Sequence, residues 1–148
     1  MFKKIPVEAG IGNSANTFLK DKKGFLWIGN HIGLHRFDGY TFKFYVHDLK
    51  DSNSIVDNTV NSLAEDSHGN LWIATENGLD KFVVADNRFE HILKNVKIRK
   101  ILCDKQNKLW IGNSNGIACL DLLNGSYKKF ENDPGDPFSV KKGGVVDL

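Results

Sequence analysis

One tetrapeptide is written three times in this 148-residue chain: Leu26-Trp27-Ile28-Gly29, Leu71-Trp72-Ile73-Ala74 and Leu109-Trp110-Ile111-Gly112. It holds all 3 tryptophans, which are spaced by 45 and then 38 residues. A period of about 40 residues limits a chain to arrays in which each unit is one supersecondary block packed on its neighbours.

The similarity runs well beyond the tetrapeptide. Upstream stand Phe18-Leu19-Lys20-Asp21, Leu63-Ala64-Glu65-Asp66 and Ile101-Leu102-Cys103-Asp104. Downstream stand Gly33-Leu34-His35-Arg36-Phe37, Gly78-Leu79-Asp80-Lys81-Phe82 and Gly116-Ile117-Ala118-Cys119-Leu120. A last apolar run closes each unit, as Phe42-Lys43-Phe44-Tyr45, Phe89-Glu90-His91-Ile92 and Tyr127-Lys128-Lys129-Phe130.

Turn chemistry separates these runs. The first turn opens with Asp21, Asp66 or Asp104 and ends with Gly24, Gly69 or Asn107, residues that tolerate positive φ. The second ends in Ile32-Gly33, Asn77-Gly78 and Asn115-Gly116, where Asn-Gly is a strong hairpin signal. The third carries Asp38-Gly39, Asp86-Asn87 and Asn124-Gly125. Tight turns join only antiparallel neighbours, so each unit is a four-stranded meander with strands A to D. Leu71 and Ile73 would face one side of strand B, and Trp72 and Ala74 the other. A strand apolar on both faces needs a sheet against each of them. The expected fold is therefore all-β: a partial β-propeller of three four-stranded antiparallel blades, in units of about 15–45, 60–92 and 98–130.

The two ends of the sequence extend the inventory. Phe2-Lys3-Lys4-Ile5 matches a D strand, so residues 1–6 read as an orphan outer strand. Val145-Val146-Asp147-Leu148 matches the start of a fourth A strand. Three blades alone would leave two apolar faces uncovered, at about 1.5–3 kcal/mol for each large side chain. The loss would be on the order of 10 kcal/mol, comparable with a domain's whole stability. The chain is thus expected to be the first part of a larger propeller protein, or to self-associate through its open blade faces.

The unit from Asp21 to Asp38 resembles the two-component regulator propeller repeat, found in the periplasmic sensor regions of Bacteroidetes hybrid two-component histidine kinases. The linkers at 47–63 and 132–140 are similar to that family's inter-blade connections, and the resemblance covers essentially the whole chain. WD repeats match less well, because each Trp is followed by Ile. The resemblance implies a periplasmic ligand-sensing module, often for oligosaccharides, joined to the remainder of a sensor protein. No kinase histidine box or nucleotide-binding glycine loop is present in the sequence, so no catalytic role and no cofactor are expected. Protein-interaction scaffolds and propeller-fold lyases or hydrolases are the alternatives.

Charge is nearly balanced, at +2 with 26% charged residues, which argues against nucleic acid as a partner. No apolar run reaches the roughly 18 residues of a membrane span, so direct membrane contact is not expected.

Internal comparison separates structure from function. Tryptophans and turn aspartates recur in every unit; Trp27, Trp72 and Trp110 are read as core, and Asp21, Asp66 and Asp104 as turn formers. The B–C loops differ, and the meander gathers them on one rim, where a rigid scaffold carries binding residues. Asn30 and His31, Thr75, Glu76 and Asn77, and Asn113, Ser114 and Asn115 are the candidate ligand-binding residues. Asn16, Asn58 and Lys97 lie beside the starts of the A strands as further members. Metal binding is not expected: His31 and His35 fall on a turn and a strand, and the run from Asp51 lacks the glycine and glutamate of a calcium loop. Cys103 and Cys119 would sit two strand spacings apart, about 9.6 Å, too far for a disulfide. They are expected to be free thiols packed as small core hydrophobes.

Overall fold

The computed structural model describes residues 14–137 and 139. Its strands form three sheets. The first blade is β1 (Thr17–Lys20), β2 (Leu26–Gly29), β3 (Leu34–Phe37) and β4 (Phe42–Tyr45). The second is β5 (Val60–Glu65), β6 (Leu71–Thr75), β7 (Gly78–Val83) and β8 (Arg88–Lys94). The third is β9 (Ile98–Cys103), β10 (Lys108–Asn113), β11 (Gly116–Asp121) and β12 (Tyr127–Glu131). Within each sheet spatial order follows chain order and every pair is antiparallel. The first strands β1, β5 and β9 neighbour one another across the blades. That radial stacking is a partial β-propeller. The expected orphan strand at 1–6 and the A strand at 145–148 lie outside the described residues.

The reason for the all-apolar B strand is visible at β6. Leu71 and Ile73 pack between the first two blades with Trp27, Leu34, Tyr45, Ile55, Phe82 and Phe89. Trp72 and Ala74 face the third blade with Leu79, Ile98, Ile101, Leu109 and Ile111. Phe82 anchors an aromatic cluster, with centroids 5.3 Å from Trp27, 5.4 Å from Tyr45 and 5.2 Å from Phe89. Such pairs add about 0.5–1.5 kcal/mol each beyond the area they bury.

Two expectations need correction here. Trp110 is not core like Trp27 and Trp72; it is half-buried and stacks on Phe130 at 6.1 Å. The thiols are free, as the strand spacing requires, but both are half-buried instead of core. Cys119 stands opposite Trp110 in the β10–β11 register, on the face turned from the second blade. Burial pushes both thiols up in pKa.

The turn aspartates do more than open a turn. In each blade one carboxylate oxygen accepts two backbone N–H groups, as Asp66 Oδ1 does from His68 and Asn70 at 2.9 Å. The other oxygen accepts the tryptophan indole six residues on: Trp27 to Asp21 at 2.8 Å, Trp72 to Asp66 at 2.9 Å, Trp110 to Asp104 at 2.8 Å. The turn and the core tryptophan are thereby one hydrogen-bonded unit.

The glycine of the second turn has positive φ in the first and third blades, at Gly33 and Gly116, and in all three blades it also meets a close approach. A Cβ on Gly33, Gly78 or Gly116 would stand 2.5, 2.2 or 2.4 Å from the carbonyl oxygen of Tyr45, Leu93 or Phe130. The D strand's backbone crosses where a side chain would be. Gly78→Ala is therefore expected to lower stability by about 1–3 kcal/mol, the cost of an overpacked site, measured by urea denaturation. Gly24→Ala, which meets no atom within 4 Å, isolates the backbone contribution at φ +92°.

Candidate functional site

The rim formed by the B–C turns and the starts of the innermost strands is built on one anchor per blade. Asn30 Oδ1 accepts the amides of Ile32 at 2.9 Å and Gly33 at 3.1 Å. Asn113 Oδ1 does the same for Asn115 at 2.8 Å and Gly116 at 3.0 Å. Thr75 replaces them in the second blade, accepting from the Asn77 amide and donating to the Gly78 carbonyl. Asn30 and Thr75 are buried. These candidate residues hold the turn, and their side-chain oxygens face inward.

The tips are different. His31, Asn77, Ser114 and Asn115 are exposed. Glu76 is half-buried and joins two elements: Asn61 Nδ2 donates to Oε1 at 2.8 Å, and Lys97 Nζ stands 2.6 Å from Oε2. Burial works to raise the Glu76 carboxyl, but the bonds from Lys97 and Asn61 and the charges of Lys97 and Arg99 outweigh it and hold it below the usual range. Asn58, on the linker, accepts the His47 amide at 2.7 Å.

Asn16 has a structural task that the sequence reading missed. Its Nδ2 donates to the Val60 carbonyl at 3.0 Å, and in the next blade Asn61 Nδ2 donates to the Ile98 carbonyl at 2.9 Å. Asn61 is the extra residue of a bulge on β5, and Arg99 is the extra residue of the matching bulge on β9. Two asparagines thus tie successive blades at their inner strands, and the third position presents an exposed guanidinium beside Glu76. Asn61, Glu76, Lys97 and Arg99 make one polar cluster of mixed donors and acceptors. Only Glu76 and Lys97 carried a signal in sequence; the bulges that aim Asn61 and Arg99 had none.

A second grouping lies outside the expected set. Asp80 is buried on β7, with His91 Nδ1 2.6 Å from Oδ1 and the Val56 amide donating to Oδ2 at 2.7 Å. Burial raises the Asp80 carboxyl despite those bonds. His91 Nε2 reaches the Ser52 carbonyl at 3.0 Å. The pair clips the linker onto the second blade. Among the described residues, no group of three His, Cys, Asp or Glu side chains is placed to hold a metal ion.

Residues 54–77 and 92–115 match the family described as Two component regulator propeller. A 50-residue stretch, 34% of the chain, is 42% identical to Histidine kinase P4 of Formosa agariphila and covers 4% of it. Among solved structures, the extracellular domain of the hybrid two component system BT3049 from B. thetaiotaomicron is similar at TM-score 0.73 and 27% identity, over 87% of this chain and 20% of that one. The corresponding domain of BT4673 from the same organism superposes at TM-score 0.77 with 20% identity, over 92% of this chain and 19% of that one. The chain therefore spans about a fifth of the solved domains it resembles.

Proposed function

We propose that this chain, two stretches of which match the two-component regulator propeller family, lies outside the cytoplasm like the domains it resembles and contributes a ligand-reading surface to a hybrid two-component signalling protein. The observation that carries this is the rim itself. Each blade fixes the same turn by an inward anchor and presents different polar tips to solvent. A rigid frame with varied tips is suited to recognition, and the donors and acceptors of Asn61, Glu76, Asn77, Lys97 and Arg99 suit a hydroxyl-rich oligosaccharide. The role is non-catalytic: ligand binding shifts the arrangement of the sensor, which passes the signal to a kinase elsewhere in the parent protein. The side of the third blade where Trp110 stacks on Phe130 is assigned to contact with the rest of that protein or with a second copy.

Calorimetric titration of the whole extracytoplasmic region with a panel of oligosaccharides tests the reading. Intact bound sugar is expected, with affinity falling at least tenfold in Glu76→Ala while the melting temperature of the protein holds. Release of cleaved sugar would mean an enzyme. Sugar affinity indifferent to Glu76, Lys97 and Arg99 would remove this rim from consideration.

A further inference from the structure

The connections between blades differ greatly in length. Residues 46–59 join β4 to β5, whereas residues 95–97 alone join β8 to β9. The long connection fills a slot on the outer part of the second blade, on the side facing the first. It begins there with a turn, the Ser54 amide donating to the Asp51 carbonyl at 3.0 Å. The Phe89 amide donates to the Asn53 carbonyl at 2.8 Å, His91 Nε2 meets the Ser52 carbonyl at 3.0 Å, and the Val56 amide reaches Asp80. Ile55 is buried in the cluster between the blades.

The third blade has the same slot, and no described residue fills it. Strand registers equate Gly78 with Gly116, Asp80 with Ala118, Phe89 with Tyr127 and His91 with Lys129. The blade-three members of that set line a cavity of about 300 Å³, together with Leu93 and Lys94 from the second blade, Val96 from the short connection, and Asn113 and Asn115 from the turn. The floor has changed character. The buried carboxylate of Asp80 is replaced by the methyl group of Ala118, and two lysines, Lys94 and Lys129, stand at the walls with Glu131 3.9 Å from Lys129.

We propose that this slot between the second and third blades docks an acidic peptide segment of a partner protein. The chain itself shows the mode of binding, because its own linker occupies the sister slot through backbone groups and two buried aliphatic side chains, Ile55 and Val56. Lys129 takes the place of His91 as donor to a carbonyl, and Tyr127 supplies the edge-strand backbone where Phe89 bonds Asn53. With Ala118 on the floor, Lys94 and Lys129, the latter 3.9 Å from Glu131, are the charges that a carboxylate of the occupant can meet. The proposal does not depend on a sugar ligand at the rim.

The test uses the synthetic peptide of residues 50–57, whose Asp51 and Asp57 supply the charge, against the isotope-labelled extracytoplasmic region. Amide shifts at Lys94, Ala118, Tyr127 and Lys129 are expected, saturating at millimolar peptide or below. Ala118→Leu, which fills the slot, is expected to weaken binding at least tenfold. Lys129→Glu, on an exposed position, is expected to weaken it severalfold and serves if the first variant misfolds. A peptide with both aspartates changed to asparagine should bind less well than the parent. No shifts at millimolar peptide, shifts elsewhere, or binding unchanged in Lys129→Glu would overturn the proposal. So would an oligosaccharide that perturbs these amides when the peptide does not.

Discussion

Asp66→Ala is expected to cost about 3–5 kcal/mol, close to half the stability of an ordinary domain. The substitution leaves three kinds of donor without their acceptor: the backbone amides of His68 and Asn70, the Asn70 side chain, and the indole of Trp72. Trp72 is 5% exposed, so water cannot easily replace the lost carboxylate. An unpaired buried donor costs about 1–3 kcal/mol by itself. Asp66→Asn should fall between wild type and alanine, since its Oδ1 can still serve the two amides while its NH₂ opposes the indole N–H. Asp104→Ala breaks the same bonds around the half-exposed Trp110 and should lose less. Urea unfolding of the three variants gives the ranking. The same carboxylate carries a pH dependence. Burial tends to raise Asp66, but hydrogen bonds from Trp72 and Asn70 and from the turn amides bring it below its ordinary value. Its contribution is therefore present above the ordinary aspartate range and is lost as pH falls through the lowered folded value. An acid titration of stability should show that loss in wild type and not in Asp66→Ala.

The second large effect belongs to the buried Asp80–His91 pair. Removing either partner leaves the other with an unmet charge or donor, and such losses run to about 3–5 kcal/mol. Asp80→Ala also strips the acceptor from the Val56 amide, so residues 50–57 should become susceptible to limited proteolysis before the blades unfold. The first blade suggests a replacement. His35 and Phe44 occupy the matching positions and stack at 4.4 Å between centroids. The double variant Asp80→His, His91→Phe transplants that pair. Its loss is expected to be smaller than the sum of the two single losses, and a double-mutant cycle in urea reads the difference. Additive losses would show that the two residues act separately.

Much of this architecture can be read from spacing alone. Three copies of the tetrapeptide, each bounded by Asp and Gly or Asn, specify four-stranded units, and the double apolar face of Leu71 to Ala74 specifies stacking. The indole bond is also written in the sequence, as an aspartate six residues before every tryptophan, although the turn alone is a sufficient reason for an aspartate there. Asn77-Gly78 illustrates where local rules mislead. The pair looks like a hairpin corner, yet the glycine is required because Leu93 passes overhead, a neighbour that local sequence does not reveal. The site was harder still. Asn30, Thr75 and Asn113 are polar and sit on the correct rim, but a polar side chain in a turn first serves its own backbone. Asp80 and His91 read as ordinary alternation on outer strands, because nothing local announces that a distant linker will cover them.

The unequal connections carry a consequence for how such wheels diversify. Where the connection is three residues instead of fourteen, the blade keeps its four strands and their pairing, yet it lacks a plug that the molecule otherwise supplies to itself. What remains is a ready-shaped socket, its lining already stiffened by flanking sheets, so recognition of an outside chain can begin from subtraction instead of from newly built surface.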